Sequence, residues 1–538
     1  MSTLVPEAAD LAAGVPPALL SHLSPRAQED FVRFGFGPPA LVLDTSIAGA
    51  FARQVRSRGG APAVVDAEGR SLTYAELDAA SDAVAAALVS QGVRTGDRVG
   101  VFLTRSLELV VSILGTLKAG ASWVPQDVRI APESTLADVV RIAKIDLVLT
   151  HRTGADLLPD LGVRQVVIDA LECATYQGFS PHCSTGGDDI AVVIFTSGTT
   201  GTPNGVQVSH ANLLNTVTAG PAGLGIKPGM RVAQLLNIAF DMSVWEIFGA
   251  LLHGATLVIR GADLQETAEQ VEVIIATPSV LGRLNPARCR RVRIVAVAGE
   301  RCPEALAQRW RQRTRFHNSC GPTEVTIVNT LHELAVGDPL TIGTPLPNTS
   351  VYVLDEDLRP VETGKVGEMW AGGACVTRGY LGNEDLTAQR YRPDPFIGGW
   401  MFRCRDLVSW TPDGRLLHHG RTDDQVKVRG FRVELDAVTN AMERAADVMA
   451  ATTLLIDGRL VGVLVPHSAA ERVRTPRLLP LENPWLTAVL GALADSLPYF
   501  YRPDVFAVVR DLPLTPRGKV DARALTELLG DLTRTVAA

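Results

Sequence analysis

Short apolar runs rich in β-branched residues recur along the chain, and each is followed by a stretch with helical patterning. The runs are RVGVFLT, KIDLVLT, VRQVVID, IAVVIFTSG, ATLVIRG, VEVIIATPS and VRIVAVAGE. Repeated alternation of this kind indicates βαβ units and largely parallel sheets. Because ligands bind beyond the carboxyl ends of the strands in such sheets, we expect functional residues in the loops that follow these runs.

Two changes of pattern predict how the chain is divided into domains. Residues 340 to 420 contain segments typical of β-hairpins, such as TSVYVLDEDLRPV, and a short polar stretch at 421–424 precedes a new αβ pattern. The predicted fold class is α/β, with a large N-terminal domain, residues 1–422, of parallel-rich β-sheets with helices plus a β-rich subdomain. Residues 423–538 are predicted to form a small, mobile α+β cap domain. The first 40 residues hold six prolines and are interpreted as a linker-like segment.

Composition excludes several classes of protein. The 538 residues carry 51 basic and 58 acidic side chains, a net charge of −7, which argues against binding to nucleic acid or to an anionic membrane. No apolar run reaches the roughly 18 residues of a transmembrane helix. The N-terminus carries Glu7 and Asp10 but no early basic residue of a signal peptide. Seven cysteines without a CxxC pair are typical of reduced thiols, so we expect a cytoplasmic protein.

A loop rich in glycine and hydroxyl side chains follows the run IAVVIFT. It contains Thr196, Ser197, Gly198, Thr199, Thr200 and Gly201, and it continues as TPNG. Glycines let the backbone approach an anion closely, and hydroxyl and backbone N–H groups donate to phosphate oxygens. The loop is not a Walker sequence, because no Lys–Ser or Lys–Thr pair follows the glycines. The residues alone leave two interpretations open, a phosphate-binding loop and a flexible connection.

The segment TSGTTGTPNG resembles the signature of the acyl- and aminoacyl-adenylating superfamily, which includes acyl-CoA ligases, luciferases and nonribosomal peptide synthetase adenylation domains. Further segments resemble family motifs in the family's order: LTYAEL (72–77), LKAGASWVPQD (117–127), FDMS (240–243), NSCGPTE (318–324), GEMWAGG to RGYL (367–381), FRCRDL (402–407), GRTDDQVKVRGFRVEL (420–435), LPYFYRP (497–503) and TPRGKVD (515–521). The sequences of these segments are similar to those of the peptide-synthetase branch of the superfamily. Residues 23–38 resemble the linker that precedes adenylation modules.

The resemblance implies a reaction in which a carboxylate is joined to the α-phosphate of ATP, pyrophosphate leaves, and the acyl group passes to a thiol. Lys519 resembles the lysine that bridges the substrate carboxylate and ATP oxygens, and Asp423 resembles the hinge of the cap domain. Glu324 resembles the Mg²⁺ ligand and Thr323 the hydroxyl that contacts phosphate. The implied cofactors are ATP and Mg²⁺, an ion that suits one carboxylate plus phosphate oxygens.

Three more residues are implied for the nucleotide. Asp406 matches the aspartate that accepts both ribose hydroxyls, and Arg421 matches the arginine beside the ribose. Gly321, within NSCGPTE, is assigned to the same ATP-binding set. A carboxylate that faces two hydroxyls forms charge-assisted hydrogen bonds, which are stronger than neutral ones.

Asp241 predicts the class of substrate, because the aspartate of FDxS in adenylation domains pairs with the α-ammonium group of an amino acid. An acid without that group would leave Asp241 desolvated and unpaired. By alignment to the neighbouring motifs, the side-chain pocket comprises Met242, Trp245, Ile275, Ala296, Ala298, Ser319, Ile327 and Val328. None of these is charged, which predicts an amino acid with an apolar or aromatic side chain.

Several positions depart from the family pattern. Asn204 stands where most relatives carry lysine, Cys320 replaces the aromatic residue that stacks on adenine, and Arg405 replaces a glycine before the ribose aspartate. These departures bear on the efficiency of the site. His418 and His419 are interpreted as solvated strand residues rather than as a metal-binding pair, because no further ligand has suitable spacing.

The predicted function is activation of an amino acid as aminoacyl-AMP and its transfer to a phosphopantetheine thiol, in nonribosomal peptide or related natural-product biosynthesis. Only 19 residues follow Lys519, too few for a carrier module of roughly 80 residues, so the expected acceptor is a separate carrier protein. The resemblance also allows an MbtH-like helper protein as a partner. Two alternatives stay open: an acyl- or aryl-CoA ligase, against which Asp241 speaks, and a degenerate adenylation domain that serves as a scaffold or nucleotide sensor.

Overall fold

The computed structural model describes residues 14–155, 158, 161–170, 185–196, 202–422, 425–428, 431–467, 475–513 and 520–535. The chain groups into two compact units. The larger unit comprises Met1–Val128, Val140–Phe195 and Gly205–Thr422, and the smaller unit comprises Arg129–Val139, Thr196–Asn204 and Asp423–Ala538. Two short segments from the first half of the chain thus group with the C-terminal residues, which the sequence did not indicate.

The first 218 residues alternate helices with strands. The helices are α1 (Pro25–Phe34), α2 (Ile47–Arg58), α3 (Tyr74–Ser90), α4 (Leu107–Lys118), α5 (Glu133–Ala143), α6 (Arg152–Ala155) and α7 (His210–Thr218). The strands are β1 (Pro62–Val65), β2 (Ser71–Thr73), β3 (Arg98–Leu103), β4 (Ser122–Asp127), β5 (Leu147–Thr150), β6 (Arg164–Val167), β7 (Ile190–Thr196) and β8 (Asn204–Ser209). Strands β3 to β8 form one sheet in the order β6-β5-β3-β4-β7-β8. The pairs of β3 with β4 and β5, of β5 with β6 and of β4 with β7 are parallel, as the apolar runs predicted.

Helix α3 begins at a capping box that the segment LTYAEL encodes. The Thr73 hydroxyl oxygen accepts from the backbone N–H of Glu76, and the Glu76 carboxylate accepts from the backbone N–H of Thr73. This reciprocal pair satisfies two donors that a helix start otherwise leaves open. Helices α3 and α4 pack so closely that a Cβ on Gly115 would lie 2.6 Å from the Val84 side chain, so this contact requires glycine.

Residues 231–345 build a second sheet with a parallel centre. Its strands are β9 (Arg231–Gln234), β10 (Thr256–Ile259), β11 (Val273–Ala276), β12 (Ile294–Val297), β13 (Arg315–Cys320), β14 (Thr330–Leu334) and β15 (Thr344–Pro345), and its helices are α8 (Asp241–Leu251), α9 (Leu264–Glu269), α10 (Pro278–Gly282) and α11 (Glu304–Arg311). With β1 and β2, the strand order is β15-β14-β13-β12-β11-β9-β10-β1-β2. The strands from β13 to β1 in this order are parallel, whereas β14, β15 and β2 run antiparallel to their neighbours.

Residues 349–421 form an antiparallel sheet, the predicted β-rich subdomain. Its elements are β16 (Thr349–Leu354), β17 (Gly367–Gly373), α12 (Glu384–Arg390), β18 (Tyr391–Pro393), β19 (Trp400–Trp410) and β20 (Leu416–Arg421). The strand order is β16-β17-β19-β18, and β20 also pairs with β19. The hairpin patterning of this part of the sequence is therefore confirmed.

The C-terminal residues of the smaller unit have α+β architecture. The elements are β21 (Gln425–Val428), β22 (Phe431–Glu434), α13 (Leu435–Glu443), β23 (Val448–Ile456), β24 (Arg459–Pro466), β25 (Arg477–Leu479), α14 (Thr487–Ser496), β26 (Val505–Val508) and α15 (Ala522–Thr535). Strands β23 to β26 form a mixed sheet in the order β23-β24-β26-β25, and β21 pairs with β22. Val463 of β24 and Leu525 of α15 share one buried core. Among the described helices, none combines the length and the apolar character that crossing a lipid bilayer requires.

Candidate active site

One face of the second sheet carries much of the predicted substrate pocket. Ile275 on β11 pairs with Ala296 on β12, and Ala296 pairs with His317 on β13, so these side chains share a face. Two residues further along, Ala298 and Ser319 continue that face. The buried clusters agree with this register: Ile275, Ala296 and Ala298 belong to one cluster, and the alternate residues of the same strands belong to the cluster on the opposite face.

Helix α8 covers this face of the sheet. Met242 and Trp245 belong to the same buried cluster as Ile275. A Cβ on Gly249 would lie 3.7 Å from Trp245 Cδ1 and 3.8 Å from Ile275 Cδ1, so helix and strand meet at this glycine. The indole Nε1 of Trp245 donates to the Ala222 carbonyl oxygen at 2.9 Å, which fixes the ring inside the cluster.

The chain between β13 and β14 contributes Ile327 and Val328 through a strained turn. The φ angles of Thr326 and Ile327 are 60° and 74°, and β-branched residues rarely adopt this left-handed region. The Thr326 hydroxyl donates to the Cys375 carbonyl oxygen at 2.7 Å, which helps to hold the turn. Ile327 and Val328 belong to the same large buried cluster as the other apolar residues predicted for the pocket. Strain of about 1–3 kcal/mol per residue is typical of functional sites.

The predicted pocket has two polar members, Asp241 and Ser319. Asp241 is the first residue of α8 and is half-buried, at the helix end where backbone N–H groups stabilise a negative charge. Ser319 is 4% exposed, and its buried hydroxyl has no hydrogen-bond partner among the residues that the structure describes. A buried hydroxyl without a partner costs about 1–3 kcal/mol.

Glu246, on the same helix, anchors α8 to the end of β9. It is fully buried, and its carboxylate accepts from the backbone N–H of Leu235 at 2.7 Å and of Leu236 at 3.2 Å. Burial raises the pKa of Glu246 to about 8, although these two donors act in the opposite direction. Nothing in the sequence distinguished Glu246 from an exposed helical glutamate, because its partners are backbone atoms of another segment.

Glu324 lies in a short 3-10 turn, Thr323–Val325, and is fully buried. Thr323, the first residue of this turn, is half-buried. The Tyr380 hydroxyl donates to Glu324 Oε1 at 2.6 Å. The backbone beside Tyr380 is held by β8, because Leu381 N–H donates to the Gly205 carbonyl oxygen at 2.8 Å. Tyr380 was not predicted as a site residue, and the RGYL segment is the signal that could have found it.

The setting of Glu324 fits a ligand for Mg²⁺. A single carboxylate oriented by a neighbouring hydroxyl suits an ion that takes one or two carboxylates plus phosphate oxygens and water. When bound, Mg²⁺ would offset negative charge on the phosphates. Within the described ranges, no group of three or more His, Cys, Asp or Glu side chains could hold a metal ion by itself.

We expect Tyr380→Phe to weaken the apparent affinity for Mg²⁺ about 10- to 100-fold, because the Glu324 carboxylate loses the hydroxyl that orients it. The measurement is ATP–pyrophosphate exchange as a function of Mg²⁺ concentration. Tyr352→Phe is the matched control, since it removes a buried phenol hydroxyl that donates to Asp394 at 2.9 Å. A Mg²⁺ titration of Tyr380→Phe that overlays the control would contradict this positioning role.

Gly321 links the phosphate side of the predicted site to the pocket. A Cβ at this position would lie 2.6 Å from Val328 Cα and 2.9 Å from the backbone nitrogen of Asn329. Any side chain would therefore push the two arms of the turn apart. Glycine lets the loop that precedes Glu324 pack directly on the backbone of Val328, a predicted pocket residue.

Asp406 and Arg421 face each other on β19 and β20. Arg421 Nη1 donates to Asp406 Oδ1 at 2.9 Å, and His418 Nε2 lies 3.1 Å from the same oxygen. The Asp406 side chain is only 8% exposed. The two residues predicted to bind ribose are therefore in direct contact, and a histidine joins them.

His418 reaches this carboxylate because of a β-bulge. The register of β19 with β20 shifts between Leu407 and Val408, so His418 pairs with Val408 and lies on the same face as Asp406. His418 is an exposed strand residue, as predicted, and its ring also contacts Asp406. His419 lies 2.8 Å from Ser409 Oγ through its Nε2.

Arg405 occupies a backbone conformation that suits glycine. Its φ is 63°, and its carbonyl oxygen accepts from the backbone N–H of Thr422 at 2.9 Å. The left-handed region costs an L-residue roughly 1–2 kcal/mol, whereas glycine adopts it freely. The glycine that the resemblance implies at this position would adopt the same φ without this cost.

We expect Arg405→Gly to raise the free energy of unfolding by about 1 kcal/mol, because the strain of the left-handed residue is removed. The measurement is urea-induced unfolding. Arg403→Gly on the same strand is the contrasting control: its φ is not left-handed, and it loses an ion pair with Glu368 at 2.8 Å, so it should lower stability. A free energy of unfolding that is lower for Arg405→Gly than for the natural chain would contradict the inference that Arg405 is strained.

Cys320 lies near Cys404 of β19. Burial holds the pKa of the Cys404 thiol well above its usual value, and the negative charge of Asp406 and the nearby Cys320 act in the same direction. The strand that ends in NSCGPTE and the strand of FRCRDL therefore converge around this thiol. Cys320 itself is half-buried.

Part of the predicted site lies outside the described residues, namely Ser197, Gly198, Thr199, Thr200, Gly201, Asp423 and Lys519. Thr196 is the last residue of β7, and its hydroxyl donates to the Asn204 carbonyl oxygen at 3.3 Å. The roles of these residues in phosphate binding, domain movement and catalysis stay predictions.

Comparisons with known proteins show the family and the fold of the chain. Residues 51–381 match a family described as AMP-binding enzyme. An adenylate-forming reductase from Coprinopsis cinerea is 41% identical over 95% of this chain and 49% of its own length, so the chain spans about half the length of such relatives. Novobiocin biosynthesis protein H from Streptomyces niveus is 35% identical over 90% of this chain and 82% of that protein. A solved NRPS protein containing adenylation and PCP domains, bound to a vinylsulfonamide inhibitor, matches with a TM-score of 0.78 at 25% identity, over 91% of this chain and 89% of that one.

Proposed function

This chain belongs to the AMP-binding enzyme family and is an adenylate-forming enzyme of the peptide-synthetase type, and on that premise we propose that it activates an amino acid as aminoacyl-AMP. The amino acid has an apolar or aromatic side chain, ATP supplies the AMP group, and pyrophosphate is released. The aminoacyl group then passes to the phosphopantetheine thiol of a carrier protein, which forms a thioester and releases AMP.

The half-buried carboxylate of Asp241 carries this proposal. It stands directly before Met242, whose side chain belongs to the apolar cluster. A carboxylate beside an apolar cluster suits an ammonium group, and such a pair at ~4 Å is worth of order 4 kcal/mol at an effective dielectric of about 20. A fatty or aryl acid offers no such group, which favours an amino-acid substrate over that of an acyl- or aryl-CoA ligase.

The nucleotide side of the site works mainly by positioning and charge neutralisation, because two anions must approach each other. Glu324 would hold Mg²⁺ beside the phosphates, and Tyr380 orients its carboxylate. The Asp406 carboxylate accepts hydrogen bonds from the ribose hydroxyls, and Arg421 and His418 hold this carboxylate in place. The lysine of TPRGKVD bridges the two reacting anions in this proposal.

A carrier protein as acyl acceptor is supported by the solved NRPS protein, whose chain contains a PCP domain beside its adenylation domain. A second candidate fate is favoured by the similarity to adenylate-forming reductases. In that case the acyl group is reduced after it has been activated. The adenylation step and its residues are the same in both candidates.

ATP–pyrophosphate exchange with a panel of amino acids tests the proposal. Each amino acid is paired with the acid that lacks only the ammonium group, such as 3-phenylpropanoate for phenylalanine. We expect exchange with at least one apolar or aromatic amino acid and none with its counterpart. Exchange with aryl or fatty acids alone would favour the CoA-ligase alternative, and no exchange at all, with an MbtH-like protein present, would favour the degenerate scaffold.

A further inference from the structure

We propose that the amino-terminal edge of the second sheet, where β12 and β13 begin, is a docking surface for an acidic protein partner. Four arginines form this surface, which we call the arginine edge: Arg290, Arg291, Arg293 and Arg313. The partner binds through carboxylate side chains. This inference goes beyond the proposed function and does not depend on it.

Basic residues are concentrated in one short part of the chain. Residues 283–315 contain ten arginines, two glutamates and no lysine or aspartate, which gives a net charge of +8. The whole chain carries −7, so all the other residues together carry −15. A local positive charge on an otherwise acidic molecule attracts an acidic partner and fixes the orientation in which it binds.

The fold brings the residues of the arginine edge together from two segments. Residues 290–293 lead into β12, and Arg313 lies just before β13. The N–H of Arg315, the first residue of β13, donates to the Arg293 carbonyl oxygen at 2.8 Å, so the two segments are adjacent. The Arg313 N–H donates to the carbonyl oxygen of the buried Trp310 at 3.0 Å. Because the backbone is held in this way, a partner has little of it to order on binding.

The side chains of the arginine edge are exposed, and among the described residues no carboxylate pairs with them. The nearby carboxylates pair with other arginines: Glu304 with Arg311 at 3.0 Å, Glu333 with Arg315 at 2.7 Å and Glu269 with Arg288 at 2.7 Å. The hydrogen bond from Arg315 lowers the pKa of Glu333 to about 2, so this carboxylate stays ionised and paired at neutral pH. The positive charge of the arginine edge is therefore left for a partner to neutralise.

The arginine edge lies at the opposite end of the strands from the predicted pocket. Strand β13 begins at Arg315, beside the arginine edge, and ends at Cys320, next to pocket residue Ser319. Six residues of a strand extend over roughly 17 Å. A partner on the arginine edge therefore leaves the carboxyl ends of the strands open, and substrates can bind there while the partner is bound.

The distribution of charge favours an acidic protein over nucleic acid as the partner. Guanidinium groups pair with carboxylates through two parallel hydrogen bonds, and a compact acidic surface can contact the arginine edge alone. A nucleic acid carries charge along its whole length, so beyond the arginine edge it would meet the negative charge of the remaining chain.

Fluorescence anisotropy with the full chain and a labelled oligoglutamate of about 20 residues, the size of one side of an interface, tests the proposal. We expect binding at low salt that weakens as the salt concentration rises. Arg→Gln substitutions at all four positions of the arginine edge should raise Kd at least about tenfold.

A matched control loses the same charge elsewhere on the surface. It carries Arg→Gln substitutions at four other exposed positions: Arg94, Arg392, Arg477 and Arg502. Its Kd should stay within about twofold of that of the natural chain, because distant charges are screened by salt. The double variant Arg291→Gln/Arg313→Gln repeats the comparison with a smaller change to the chain, and urea-induced unfolding checks that each variant is folded.

Four results would overturn the proposal. The first is that the natural chain does not bind the oligoglutamate at low salt. The second is that the arginine-edge variants bind it as tightly as the control does. The third is that a single-stranded DNA with the same number of charges binds more tightly than the oligoglutamate, which would identify the partner as a nucleic acid. The fourth is that ATP displaces the oligoglutamate, which would place the probe in the nucleotide site.

Discussion

Replacing Asp241 by alanine is expected to lower amino-acid-dependent pyrophosphate exchange about a thousandfold. The loss follows from the ammonium–carboxylate pair, of order 4 kcal/mol at an effective dielectric of about 20, since each 1.4 kcal/mol is a factor of ten. The measurement is kcat/KM for the best amino acid of the panel. Because Asp241 is the first residue of α8 and only half-buried, the helix should persist in the variant.

Two further variants sharpen this test. Asp241→Asn keeps the shape of the side chain and removes only the charge, so it should lose most of the same activity and improve the relative use of the deaminated acid. Asp263→Ala is the matched control, because Asp263 also starts a helix, where its carboxylate accepts from the backbone N–H of Gln265 at 2.8 Å. Exchange by Asp241→Ala at the level of Asp263→Ala would refute the ammonium assignment.

Glu246→Ala is expected to lower the free energy of unfolding by about 2–6 kcal/mol. The substitution leaves two backbone N–H groups, those of Leu235 and Leu236, buried without their acceptor, at about 1–3 kcal/mol each. Urea-induced unfolding followed by tryptophan fluorescence measures the loss, since Trp245 is the preceding residue. Glu246→Gln keeps an oxygen that can accept from both N–H groups, and we expect it to retain most of the stability.

The pH dependence of stability gives a separate check on Glu246. Its pKa is raised from 4.5 to about 8 by burial, so its contribution to stability is complete below pH 4.5 and is lost as pH rises to about 8. In that window the free energy of unfolding of the natural chain should fall relative to that of Glu246→Gln, by at most about 1.4 kcal/mol per pH unit. A difference between the two that stays constant from pH 4.5 to 8 would contradict a neutral buried Glu246.

The succession of elements could be predicted from the chain itself. Runs such as RVGVFLT and VEVIIATPS became β3 and β11 because short apolar stretches rich in β-branched residues fit a strand buried on both faces. The capping box at Thr73 and Glu76 set the start of α3 through contacts only three residues apart. The assignment of the pocket residues rests on the resemblance and stays a prediction.

The pairings inside the site could not be predicted from local patterns. Tyr380 and Glu324 are 56 residues apart and meet only because the backbone beside Tyr380 pairs with β8. His418 contacts Asp406 because one extra residue in β20 shifts the register, and a bulge leaves no periodic signal.

The sequence by itself determined the family, the α/β class and the residue types that the chemistry needs, because motifs and periodicity are properties of neighbouring residues. Only the tertiary structure decided which of these side chains are held by hydrogen bonds and which are not. The Glu246 carboxylate accepts from two backbone N–H groups, whereas the buried Ser319 hydroxyl has no hydrogen-bond partner among the described residues. Whether a buried group finds a hydrogen-bond partner depends on register and packing between segments that are distant in the sequence. These segments come together only when the chain folds.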